Sequence, residues 1–158
     1  MSTLALEAIG LLLKRFDKSR DQDRLYDHLR ETLLRELSVN KELVAEANRL
    51  LENDEDRETG EQLLRKIRLD SFNAVASVGI PLKELLPTAW HAPDSHKLSK
   101  RFSWHTRGIT NVAALVERTY HRLLIQSIRS EIGQQKQPES LEYLEALLIE
   151  TVSAVDAI

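Results

Sequence analysis

The feature that most narrows what this chain can become is a stripe in its first third: Tyr26, Leu29, Leu33, Leu37, Asn40, Val44, Ala47 and Leu51. The steps alternate mainly between three and four residues. An α-helix returns side chains to one face at that interval, whereas a strand does so every second residue. The spacing predicts one long helix over residues 21–52, with a coiled-coil-like seam that other helices must cover. Asn40 interrupts the seam. A polar residue at such a place can fix register or partner at a cost in stability, and on that reading Asn40→Leu raises stability. The plainer reading gives its amide a nearby backbone group or a water.

The same periodicity recurs along the chain. Residues 3–16 form an apolar helix with Leu4, Ile9, Leu11, Leu12 and Leu13 and almost no polar face. Residues 58–78 form a third helix with Leu63, Leu64, Ile67, Ala74, Val75 and Val78 inward, stopped by Gly79 and Pro81. A short turn of helix lies between Pro81 and Pro87, followed by a loop. A fourth helix extends over 96–132 with Leu98, Phe102, His105, Ile109, Val112, Val116, Tyr120 and Leu123 as its seam, kinked or broken near residues 107–110 at Gly108. A fifth begins at Pro138, with Leu141, Leu144, Leu148, Val152 and Val155 inward. The fold class predicted is all-α: an antiparallel helical bundle of four to five helices, two of them long, in a single domain spanning 1–158.

Composition removes several functions. There is no Cys, so disulfides, thiolate metal sites and Cys nucleophiles are out, which fits a cytoplasmic protein. A formal charge of −3 is too small for a generic polyanion binder. The apolar N-terminus lacks a basic leader region and a cleavage site, and reads as a helix and not as a signal peptide. It is too short to cross a membrane.

Tests for chemistry find little. No Glu-x-x-His occurs, so a carboxylate-bridged metal pair in a bundle has no support. Four-helix HEPN-type ribonucleases separate an Arg from the following His by four to six intervening residues. Arg24 and His28, and likewise Arg101 and His105, have only three residues between them, so the spacing is not met. There is no phosphate-binding loop, dinucleotide fingerprint or nucleophile elbow. No catalytic residue, cofactor or metal is assigned.

Charge is more informative. Residues 95–129 carry Lys97, Lys100, Arg101, Arg107, Arg118, Arg122 and Arg129 against the single acid Glu117. Residues 130–158 are acidic, opposed only by Lys136. The last helix is expected to fold back on the fourth and neutralise it. The basic residues ahead of the kink, Lys97, Lys100, Arg101 and Arg107, are the least covered and are the candidate nucleic-acid contacts, suited to RNA or single strands. Trp90, Phe102 and Trp104 either cap the open end of the bundle or form a partner-binding patch. The function these features favour is a non-enzymatic interaction or regulatory protein that self-associates, most simply as a homodimer. The alternatives are a nucleic-acid-binding module using the basic helix, and a divergent helical ribonuclease or toxin-type protein.

Overall fold

The computed structural model describes Glu7 and residues 18–52, 56–94, 97–133 and 138–158. The apolar helix expected over 3–16 lies outside the described residues, Glu7 apart, as do the acidic turn at 53–55 and the polar connection at 134–137. The described helices are α1 (Lys18–Glu52), α2 (Arg57–Leu64), α3 (Asp70–Ser77), α4 (Leu82–Leu85), α5 (Lys97–Lys100), α6 (Ser103–Thr106), α7 (Val112–Glu131) and α8 (Pro138–Asp156).

Cross-contacts fix their directions. Gly60 of α2 lies against Ala47 and Leu51 of α1, so close that a Cβ there would come within 3.0 Å of the Leu51 side chain. Further along, Arg30 donates to the Leu85 carbonyl at 3.0 Å and Tyr26 to Glu84 at 3.2 Å. Helices α2 to α4 therefore form one broken rod antiparallel to α1. Thr119 of α7 and Thr151 of α8 share a hydrogen bond of 2.7 Å, and Arg129 donates to Ser140 at 3.2 Å, so α7 and α8 are antiparallel. Asn48 donates to Glu145 at 2.7 Å, near the opposite end of α1 from the groove it shares with Val155 and Asp156, so α8 is antiparallel to α1 as well. The result is an antiparallel four-rod bundle with α1 and α7 on the diagonal.

The seam of α1 faces the core as its spacing requires: Leu29, Leu33, Leu37, Val44 and Ala47 are fully buried, with Tyr26 and Leu51 packed at the margin. Val112, Val116, Tyr120 and Leu123 of α7 and Leu141, Leu144, Leu148 and Val155 of α8 join the same cluster. Helix α8 also buries a second face. Its Tyr143, Ala146 and Leu147 pack with Leu98, Phe102, Ile109 and Leu115 in a separate cluster on the other side.

Two of the expected helices are broken. The 58–78 segment divides into α2 and α3, with residues 65–69 between them. The cause lies on α1. The Asn40 side chain donates to the Arg68 carbonyl at 2.7 Å and accepts from the Arg68 N–H at 2.9 Å, taking both backbone groups of one residue. One turn earlier, the buried Glu36 carboxylate accepts from Ser71 N at 2.7 Å and Phe72 N at 3.2 Å. These are first-turn amides of α3, whose own N-cap residue, Leu69, offers no side-chain cap. A carboxylate at that end satisfies open donors and complements the helix dipole. Tyr120 donates to the same carboxylate at 2.8 Å, tying α7 to α1 across the bundle. Asn40 thus sits in the seam but serves the chain's own backbone, not helix register.

The 96–132 segment is three helices. Gly108 takes a φ of +90°, a conformation open to glycine at little cost. Asn111 then starts α7 as an N-cap, accepting from Ala114 N at 2.8 Å. Of the kink or break expected near Gly108, the structure has the break.

Asn40→Leu is accordingly expected to destabilise the protein, reversing the simple seam argument. It removes the partner of both backbone groups of Arg68 at a part-buried position and should cost about 1–3 kcal/mol in a urea melt. Leu33→Ala, a pure core truncation, should cost about 2–5 kcal/mol.

Tyr120 yields a pH prediction. Burial first, then the charge of Glu36 and the hydrogen bond to it, push its phenol far above the ordinary value of 10.0. In the folded chain it keeps its proton, while in the unfolded chain it loses it near pH 10, so proton release favours unfolding as pH climbs past that point. This contribution is intact below about pH 10 and declines above it. Tyr120→Phe should flatten the alkaline fall of stability in denaturant melts from about pH 9 to 11. An unchanged slope would show that the phenol ionises as freely folded as unfolded. Tyr143, also raised chiefly by burial, leaves a residual slope of the same sign.

Candidate interaction surface

Between α4 and α7 the chain leaves the bundle and returns. Exit and entry lie side by side: Trp90 N donates to the Thr110 carbonyl and Val112 N to the Thr88 carbonyl, each at 2.9 Å, around an isolated antiparallel bridge between Ala89 and Asn111. The excursion they enclose folds over the outer side of α7 and α8. Leu98, Phe102 and Ile109 anchor it there, and the buried Thr106 hydroxyl lies 3.3 Å from the Leu98 carbonyl and 3.5 Å from that of Phe102. The Phe102 ring meets Tyr143 at 5.3 Å. From the bundle, Arg118 donates to the His105 carbonyl at 2.5 Å and Tyr143 to the same oxygen at 3.3 Å.

This packing separates the three candidate aromatics. Phe102 is 6% exposed and belongs to the core, and Trp90 is half-buried against both clusters. Phe102 is thus one of the anchors of the excursion, while Trp90 keeps part of its surface open. Trp104 is 77% exposed. The Arg107 guanidinium lies 4.5 Å from the centre of its ring, within cation–π range.

The four candidate cations divide too. Lys97, Lys100 and Arg107 are exposed and make no ion pair among the described residues. Arg101 is exposed but paired with Glu142 of α8 and sits 5.5 Å from the Phe102 ring. That pair is the one place where the acidic last helix neutralises the basic segment among the described residues. Arg118 is held by a carbonyl and Arg129 by a hydroxyl, and Arg122 lies over the Tyr143 ring at 5.3 Å. Burial lowers the proton affinity of Arg122, and the positive charges of Arg129 and Arg118 push it the same way against the opposing effect of Tyr143. The α7–α8 interface is apolar, and the charge on α7 is not cancelled.

A second surface escaped the sequence reading. Leu124, Ile128 and Ile132 are 45%, 49% and 60% exposed and recur every four residues along the outer side of α7. Four-residue steps stack them in one row. Spacing alone did not reveal it: Leu124 lies only four residues after the buried Tyr120, and which of the two faces out depends on how α7 docks.

No acid–base or metal constellation gathers around either surface. Among the described residues no three His, Asp or Glu groups are placed to hold a metal ion. Glu36, the acid beside the groove lined by Arg35, Arg68 and Asp70, has its oxygens occupied by Ser71, Phe72 and Tyr120. No described helix is long and apolar enough to cross a membrane. No family model, curated protein or solved structure matches the chain.

The two neighbouring aromatics should respond oppositely to truncation. Phe102→Ala should cost about 3–5 kcal/mol in a denaturant melt, as a core ring does. Trp104→Ala should stay within about 0.5 kcal/mol, as a surface change does, while removing the fluorescence most accessible to iodide.

Proposed function

We propose that this chain is a non-enzymatic helical interaction protein that self-associates through the outer face of α7. The observation that carries the reading is the row Leu124, Ile128 and Ile132, three large aliphatic side chains standing in water on one helix. Single exposed apolar residues are ordinary, but a contiguous row gains free energy when a second apolar face covers it.

A second copy is a natural occupant because the face complements itself. In a two-fold antiparallel pairing of α7 with its copy, Leu124 of one chain meets Ile128 of the other, and His121 meets Glu131. Both ends of the contact then repeat the same attraction. Three side chains alone do not approach the roughly 800 Å² per partner of a stable complex. The contact extends onto the flanks of α7 and remains concentration-dependent, which suits a regulatory protein. The cysteine-free composition fits a cytoplasmic setting.

Sedimentation velocity across a concentration series tests this. The wild-type chain should shift from monomer towards dimer as concentration rises. Ile128→Asp should hold it as monomer, with its melt unchanged within about 0.5 kcal/mol. A wild-type chain that stays monomeric at the highest concentration, or an Ile128→Asp variant that still associates, removes the reading.

A further inference from the structure

The exposed indole of Trp104 is the least expected apolar feature of this surface. Tryptophan carries the largest apolar side chain and normally buries most of it. Two positions away Phe102 is packed in the core, so the excursion buries an aromatic where it needs one and leaves this one out. Its support is stiff. The Thr106 hydroxyl, the Phe102 anchor and the grip of Arg118 and Tyr143 on the His105 carbonyl brace the segment from several sides. The left-handed turn at Gly108 follows directly on Arg107. A planar apolar ring with a planar cation over it is therefore presented in place, without the ordering cost a mobile loop would carry.

Residues 97–107 contain four basic residues and no acid. Of these Arg101 is engaged with Glu142, while Lys97 and Lys100 face solvent on α5. The site thus combines a flat π surface, a guanidinium beside it and two compact cations one helical turn apart. A ligand matched to all three must be anionic at regular intervals and carry exposed flat rings. Single-stranded nucleic acid has both properties, a duplex hides its ring faces by stacking, and an acidic peptide supplies charge without rings.

We propose that the α5–α6 excursion is a binding site for single-stranded nucleic acid, in which an unpaired base stacks on the face of Trp104 opposite Arg107, Arg107 takes the adjoining phosphate, and Lys97 and Lys100 take neighbouring phosphates. This site is distinct from the aliphatic row on α7 and does not depend on self-association.

Fluorescence anisotropy with end-labelled oligo-U and oligo-dT of about 12 nucleotides tests it, since one fold module covers roughly 4–16 nucleotides. Controls are a duplex of equal length and a poly-glutamate peptide. The wild-type chain should bind the single strands more tightly than the duplex, with quenching of tryptophan emission and a steep loss of affinity between about 50 and 200 mM salt. Trp104→Ala should weaken binding about 5- to 100-fold, the value of one base stack, and Trp104→Phe should restore much of it. Lys97→Ala with Lys100→Ala should weaken binding and reduce the salt slope by about 1.4, roughly 0.7 for each single-strand phosphate no longer neutralised. All variants should keep the wild-type melt and sedimentation behaviour. Equal affinity for duplex and single strand, tighter binding of poly-glutamate, no binding at low salt, or a Trp104→Ala variant that binds as well as wild type would each overturn the assignment.

Discussion

Two buried polar side chains one turn apart on α1 govern the shape of this bundle. Asn40 sits where a purely apolar seam would place a leucine, Glu36 is buried beside the seam, and both face the broken second rod. Between them they satisfy four backbone groups, on Arg68, Ser71 and Phe72. A rod that passed over this point as unbroken helix would use those groups internally, leaving the Asn40 amide without those partners and the Glu36 carboxylate with Tyr120 alone. A buried charge short of partners is among the costliest features a core can contain, so the break is the lower-energy arrangement. The break sets the start of α3, and with it the position of Phe72, whose ring stacks on Tyr120 at 4.2 Å. Tyr120 in turn donates to Glu36. One carboxylate therefore joins three of the four rods, and among the described residues no buried side-chain polar atom is left without a partner.

The last helix plays the complementary part. Its apolar residues cover more than one face, which a helix at the edge of a bundle would not need. Leu141, Leu144, Leu148 and Val155 complete the main core, and Tyr143, Ala146 and Leu147 support the α5–α6 excursion. Between the faces Thr151 bonds both to Thr119 and to its own Leu147 carbonyl, so the polar group at the α7–α8 contact is fully used. Because α8 and the outer side of α7 give the excursion a firm floor, a segment with only two four-residue helices can hold a defined surface.

How much of this was legible in the sequence follows from what periodicity encodes. The seams of α1, α7 and α8 were readable, because each long helix buries one stripe and the spacing of Leu33, Val116 or Leu144 reports it directly. The break between α2 and α3 was not. Leu63, Leu64, Ile67, Ala74 and Val75 keep helical spacing across it, and the hydrogen bonds that impose it come from residues about thirty positions earlier. The break before α7 was legible in Gly108, which marked a kink or break, while the cap made by Asn111 three residues later was not read. The surface residues depended on still finer geometry. Whether Phe102 or Trp104 turns inward is decided by the register of a single turn of helix, and aromatic content carries no record of that. Arg101 drops out of the candidate cations through Glu142, forty-one residues away, a pairing set only by the docking of the excursion on α8.

Charge behaves differently from what its segregation along the chain suggested, and the reason bears on function. A basic stretch followed by an acidic one invites a picture of two helices neutralising each other. The α7–α8 contact is instead closed by leucines and threonines, because opposite charges taken out of water rarely regain their hydration energy, whereas apolar surface gains by burial. The guanidinium groups of Arg118, Arg122 and Arg129 are left on the flank of α7, satisfied by a carbonyl, a ring and a hydroxyl, none of which removes their charge. Arg118 reaches the excursion itself through the His105 carbonyl, so the positive flank is continuous with the segment that carries Trp104 and Arg107. A charged flank of this kind raises the local concentration of anions before any contact forms. The same helix presents its aliphatic row beside that flank. One helix thus has a core face that specifies the fold, a flank of guanidinium groups that reaches the segment carrying the exposed indole, and an exposed aliphatic row.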